Sequence, residues 1–113
     1  MKINKELSKG SNAMLVLSVI ARRDMYGYQI IKVIEMSSES VFEMNEGTLY
    51  PILHALEADK CLESYWCEAE GRKRKYYKIT DKGRKELAAK EKEWKEFSGA
   101  VGKVLGGAEL VGV

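Results

Sequence analysis

The stretch NEGTLYPIL, residues 45–53, sets a glycine and a proline at the opening of a segment that otherwise carries helix formers. Leu49, Ile52, Leu53 and Leu56 recur at three- and four-residue steps, the spacing of one buried helical face. Proline within a helix removes a backbone hydrogen bond and crowds the preceding turn, so Pro51 predicts a helix that starts just before it, at Asn45 to Thr48. Asn45 and Thr48 both carry side-chain oxygens able to accept from the orphan N–H groups of a first turn. The face opposite the leucines holds Tyr50, Pro51, His54, Glu57 and Ala58. A tyrosine, a proline and a histidine exposed at a helix start fit a surface that meets another backbone or groove closely. The plainer alternative is that Gly47 and Pro51 only set the angle at which the chain enters the helix.

Upstream, residues 6–21 follow a helical pattern that is apolar nearly all round from Ala13 to Ala21, which predicts burial on several sides. RRDMYGY (22–28) breaks that helix, and YQIIKVIEM begins a second with Ile30, Ile31 and Ile34 turned inward. Polar turn formers in SSESVFEM (37–44) lead to the third helix, expected to end near Lys60; three helices with short links predict a helix-turn-helix. The period then changes to two. Leu62, Ser64 and Trp66 alternate with Glu63, Tyr65 and Cys67, and Tyr77 and Ile79 alternate with Tyr76 and Lys78, so both segments read as strands, with AEGRKR between them as a hairpin tip. Thr80 and Asp81 open a fourth helix as cap and favourable first-turn charge. Its apolar positions Leu87, Trp94, Phe97, Val101 and Val104 form a heptad-like seam. Gly99, Gly102, Gly106 and Gly107 weaken its end, so 106–113 is expected to be a disordered tail. The fold expected is mostly α with a small two-stranded β wing: a winged helix-turn-helix over residues 1–80 and a dimerisation helix over 81–105.

Composition narrows the function. The 113 residues are 45% hydrophobic and 32% charged with a single proline, a soluble helical chain of one domain. Its longest apolar run, Ala13 to Ala21, is far below the ~20 residues that cross a bilayer, and no signal-peptide pattern follows the N-terminus; a cytoplasmic protein without membrane association is expected. Cys61 and Cys67 lie on one predicted strand, ~20 Å apart and beyond disulfide reach, so both are expected as free thiols. With one histidine and no close cysteine pair, neither zinc-ligand spacing nor a catalytic triad can be assembled, and no metal, cofactor or enzymatic activity is expected. The net charge of +2 conceals a local excess: residues 71–78, GRKRKYYK, hold five basic groups and no acid, a patch that attracts phosphate.

The succession MYGYQII, EGTLYPIL, LEADKCLESYW, GRKRKYYKIT and DKGRKEL resembles the PadR family of winged helix-turn-helix transcriptional regulators. The short C-terminal part with Trp94 is similar to compact members that dimerise through one long final helix and include multidrug-sensing repressors. The resemblance implies a homodimeric, DNA-binding repressor, and the two-fold symmetry of such a dimer implies an inverted-repeat operator. On this reading Thr48 and Tyr50 donate hydroxyls to phosphate, Pro51 lies at the same surface, and His54 approaches base edges. Arg72, Lys73, Arg74, Lys75 and Tyr76 serve the wing. Trp94 either packs the dimer seam or stacks on a small aromatic or hydrophobic effector, with Leu7, Ser11 and Met14 of the first helix as its neighbours. Two departures bear on the fold and on base reading. Lys60 stands where the family usually has glycine, and Ala55 where a basic residue often follows the recognition-helix leucine. The competing reading is a winged-helix module that binds protein through Tyr50 and Tyr76, without specific DNA binding.

Overall fold

Leu49, Leu53 and Leu56 are buried on one side of a helix, as their spacing requires, and the rest of the chain is arranged around them. The computed structural model describes residues 11–107. In chain order these form α1 (Asn12–Ile20), β1 (Met25–Tyr26), α2 (Gly27–Ser37), α3 (Glu46–Ala58), β2 (Leu62–Ala69), β3 (Arg72–Ile79) and α4 (Asp81–Gly107). α1 buries Val16, Leu17, Val19 and Ile20 and packs against α2, α3, α4 and β3, which explains its apolar character on nearly all sides. Ser18, the polar interruption, satisfies its hydroxyl by donating to the Leu15 carbonyl at 2.8 Å. Ile30 and Ile34 of α2 complete the helical core, whereas Ile31 is half-buried at its edge.

The sheet has three strands, in order β1-β3-β2, where the alternation pattern had indicated two. Met25 and Tyr26, within the break between the first two helices, pair antiparallel with Tyr77 and Tyr76. Two residues are too few to show a period of two, so only the tertiary pairing reveals this strand. β2 and β3 pair in continuous antiparallel register from Leu62↔Ile79 to Ala69↔Arg72. The tip between them is only Glu70 and Gly71, both at positive φ (55° and 75°), the backbone of a two-residue type I′ turn. The basic run that the sequence placed partly in the hairpin tip therefore lies along β3.

α3 starts at Glu46 with Asn45 as its cap, its carboxamide oxygen accepting from the Thr48 N–H at 2.9 Å. The start falls within the expected Asn45 to Thr48, which puts Pro51 in the second turn of the helix. The carbonyl left without an intrahelical donor is that of Gly47, an exposed residue whose oxygen water can reach. At the other end the Cys61 N–H donates to the Leu56 carbonyl (2.8 Å) and the Lys60 N–H to that of Glu57 (3.0 Å), a Schellman closure. Lys60 itself takes the left-handed conformation, φ 65°, that glycine normally supplies.

Thr80 couples β3 to α4. Its hydroxyl oxygen accepts from the Gly83 N–H at 3.0 Å and its proton is shared between the carbonyls of Lys60 (2.7 Å) and Cys61 (3.1 Å). α4 is 27 residues long, about 40 Å at 1.5 Å per residue, and buries Leu87 against the core. It continues through Gly106 and Gly107, two residues into the segment expected to be a disordered tail; residues 108–113 lie outside the described ones. Among the described residues no helix is long and apolar enough to cross a membrane.

Candidate nucleic-acid interface

The exposed side of α3 presents Thr48, Tyr50, Pro51, His54 and Ala55. Tyr50 and His54 are one turn apart, with ring centroids 6.2 Å from each other, so they form a continuous patch flanked by Pro51. Gly47 contributes openness: a Cβ added there would meet only the Asn45 Oδ1, at an ordinary 3.4 Å. Among the described residues nothing requires glycine at this position. Tyr50 is less free than its place on the helix suggested. It is 36% exposed, and its hydroxyl lies over Gly27, at the first turn of α2, where a Cβ would stand 2.5 Å from that oxygen.

β3 divides its four basic residues between two faces, because successive side chains of a strand point to opposite sides. Lys73 and Lys75 lie on the face that, further along, carries the buried Tyr77 and Ile79. Arg72 and Arg74 lie on the outer face with Tyr76. Their roles differ accordingly. Arg72 and Lys73, next to the turn, are exposed. Lys75 sits 3.9 Å from the Glu57 carboxylate of α3, and its ammonium lies 5.7 Å from the Tyr77 ring centroid. The Arg74 guanidinium is stacked 4.4 Å from the Tyr26 ring centroid, and its buried Nε has no hydrogen-bond partner among the described residues. The local excess of positive charge is also moderated across the hairpin, where Glu68 pairs with Lys73 and Glu63 with Lys78.

Tyr76 belongs to an aromatic row on the outer face. It stacks on Tyr65 (5.7 Å) and meets Tyr26 edge-on (5.4 Å). The Tyr65 hydroxyl donates to Asp24 Oδ2 at 2.6 Å; that hydrogen bond to a carboxylate, with the neighbouring negative charge, pushes its pKa up to about 12. Burial likewise raises the Tyr77 phenol above its ordinary value. This row buttresses the wing from outside.

Trp66 went unassigned in the sequence beyond its place in the alternation. It is opposite Lys75 in the register, on the same face as Lys73, and 68% exposed. Leu62 on that face is buried, so the alternation read from the sequence holds at the root of the strand; burial ends where the hairpin runs past the helices. An exposed tryptophan between two lysines, adjoining α3 through the Lys75–Glu57 pair and the Ser64–Glu57 hydrogen bond, is the feature of this surface that strand periodicity alone conceals.

The expected effector group is spread over two helices. Met14 on α1 and Ser11 just before it are half-buried, Trp94 is 48% exposed on α4, and Leu7 lies outside the described residues. Trp94 lies beside Phe97 of its own helix, ring centroids 6.3 Å apart. A cavity of 300 Å³ does open between α1, α3 and α4, but Ala13, Ile52, Leu56, Cys61, Lys82 and Glu86 line it, not Trp94, Ser11 or Met14. Cys61 is buried and Cys67 exposed, both as free thiols. Among the described residues no group of histidine, cysteine or acidic side chains could hold a metal ion.

Residues 16–89, spanning α1 through the first turns of α4, match the transcriptional regulator PadR-like family. The chain is similar in structure to a transcriptional regulator from Clostridium thermocellum, with 32% identity, a TM-score of 0.81, and coverage of 87% of this chain and 96% of that one. A PadR-like transcriptional regulator from Bacillus cereus superposes with a TM-score of 0.80 at 30% identity, covering 90% of this chain and 98% of that one. A transcriptional regulator of Mycobacterium tuberculosis is 31% identical over 103 residues, 91% of each chain. Helix-turn-helix, wing and long final helix coincide with this likeness in sequence and structure, and the chain belongs to the PadR-like family of transcriptional regulators.

Proposed function

We propose that this DNA-binding regulator is a repressor that acts as a two-fold homodimer on an inverted-repeat operator and is released by a small aromatic or hydrophobic effector. In this reading residues 1–80 form the DNA-binding unit and 81–105 the dimerisation helix. The observation that carries it is the row of exposed apolar side chains on α4: Trp94 at 48%, Phe97 at 62%, Val101 at 39% and Val104 at 75% exposure. They recur at steps of three and four, so they share one stripe of a helix that otherwise carries charge. Such a stripe is stable in water when a second copy covers it.

α3 then enters the major groove with Tyr50, Pro51 and His54 foremost, and Gly47 lets the helix start approach the DNA backbone. Thr48 and Tyr50 supply hydroxyls to phosphate. Arg72, Lys73, Arg74, Lys75 and Tyr76 act from the wing, with Arg72 and Lys73 as its phosphate contacts and Trp66 between the lysines against the sugar edge. The paired Trp94 and Phe97 rings of two protomers offer a flat aromatic surface on which an effector can stack.

Footprinting on the DNA flanking the chain's own coding sequence tests the reading, with sedimentation of the free and DNA-bound protein. A dimer protecting two symmetric half-sites, displaced by planar aromatic compounds that quench Trp94 in a Trp66→Phe background, is expected. A monomer, or binding that shows no sequence preference at physiological salt, would overturn it and favour a protein-binding module.

A further inference from the structure

We propose that Gly27 is a positioning residue for DNA binding: it leaves the space in which the Tyr50 hydroxyl is held at the start of α2. The proposal rests on the reading of Tyr50 as a phosphate contact. It joins two segments that the sequence keeps apart, MYGYQII and EGTLYPIL.

Gly27 is buried and is the first residue of α2. Its backbone is not in the left-handed region, so glycine is not needed there for conformation. What a side chain would meet is Tyr50: an added Cβ would stand 2.5 Å from the hydroxyl oxygen, 3.0 Å from Cζ and 3.6 Å from Cε1. All three nearest atoms belong to that one ring. The first separation is shorter than any tolerated carbon–oxygen contact, so with alanine at position 27 the ring must move. It has room to do so, because Tyr50 is 36% exposed on the outer side of α3, whereas the buried residues of that helix are Leu49, Leu53 and Leu56 on its other face. The displaced hydroxyl would leave the first turn of α2 while the core stays closed. Gly27 therefore acts on DNA through Tyr50, and its replacement reproduces the loss of the hydroxyl without removing any group that itself touches DNA.

The test is a double-mutant cycle of Gly27→Ala and Tyr50→Phe. Phosphate contacts are independent of sequence, so the probe is a fluorescein-labelled random-sequence duplex at low salt, followed by anisotropy. Thermal unfolding of each variant is recorded alongside. Tyr50→Phe is expected to weaken binding about fivefold, the net worth of one typical hydrogen bond exchanged for water. Gly27→Ala is expected to do the same with an unchanged cooperative melt, and the double variant to bind no worse than either single one. In Tyr50→Phe the hydroxyl is already gone, so a ring displaced by Gly27→Ala has no phosphate contact left to lose, and adding Gly27→Ala should cost no further affinity. Weakened Tyr50→Phe with a normal Gly27→Ala, or losses that multiply in the double variant, would overturn the positioning role alone. Normal binding by Tyr50→Phe would overturn the phosphate contact of Tyr50 and this proposal with it.

Discussion

Lys60 occupies a backbone conformation, φ 65°, in which a side chain costs roughly 1–2 kcal/mol relative to glycine. The residue still closes α3, since the Schellman hydrogen bonds from Lys60 and Cys61 use only backbone groups. Lys60→Gly is therefore expected to stabilise the protein by about 0.5–1 kcal/mol, after allowance for the greater freedom of glycine in the unfolded chain. Chemical denaturation reads this directly, and a loss of stability would show that the lysine side chain has an anchoring role. Gly47 is the converse case. A methyl group there meets only the Asn45 carboxamide, so Gly47→Ala should raise stability by up to about 1 kcal/mol through helix propensity while weakening DNA binding. Unchanged affinity for duplex DNA would mean that the helix start does not approach the DNA backbone closely. Gly83 differs from both, because an added Cβ would collide with the Cys61 carbonyl and the Ile79 side chain. Gly83→Ala should cost about 1–3 kcal/mol, seen as a lowered denaturation midpoint, by prising α4 from the start of β2 and the end of β3.

The wing is the element in which the sequence pattern and the final arrangement differ most usefully. Four consecutive basic residues look equivalent along the chain, yet the pleat and the neighbours of β3 give them separate tasks: Arg74 is stacked on Tyr26 and Lys75 lies beside Glu57, whereas Arg72 and Lys73 are exposed. Replacing Arg72 and Lys73 by alanine should lower the slope of log affinity against log salt by about 2 with little change in stability, since each phosphate contact releases close to one counterion. Arg74→Ala should instead lower stability, because the guanidinium packs the outer face. An unaltered salt slope in the double variant would move the phosphate contacts elsewhere. The same face sets an alkaline limit. Tyr65 holds its proton up to about 12 against an ordinary 10.0, so between these values the folded chain binds more protons than the unfolded one. The stability linked to Tyr65 is complete below pH 10 and falls as pH rises toward 12. In Tyr65→Phe that part of the decline should disappear, which unfolding curves across this range would reveal.

At the scale of the whole molecule the long final helix decides the shape. The described residues measure 64 × 31 × 20 Å, because α4 runs well past the core that its Leu87 joins. Among the described residues nothing covers the apolar stripe beyond Leu87, and in the proposed homodimer pairing of two copies would remove it from water. Trp94→Ala is expected to weaken a dimer by roughly 2–4 kcal/mol and to reduce DNA binding indirectly, because two recognition helices bind symmetric half-sites only while they are joined. Sedimentation equilibrium against concentration measures the first effect and anisotropy the second. A Trp94→Ala variant that dimerises and binds as before would leave the tryptophan to the effector alone.

The sequence by itself determined whatever depends on periodicity and local chemistry. The leucines of α3, the cap at Asn45, the alternation of β2 and β3, the Thr80 cap and the stripe on α4 are all written in spacings of two, three and four, and the GTLYP and wing motifs were enough to indicate the family. The tertiary structure alone decided what depends on contacts between distant segments. Two residues at Met25–Tyr26 carry no period and become a strand only because β3 offers its edge. Trp66 alternates with core positions yet is exposed, because the hairpin outruns the helices that would bury it. Gly27 and Gly47 are the same letter in the sequence, and only the folded chain shows that one makes room for Tyr50 while the other opens the surface. Spacing specifies which face of an element turns inward; what stands opposite that face is fixed only when the elements meet.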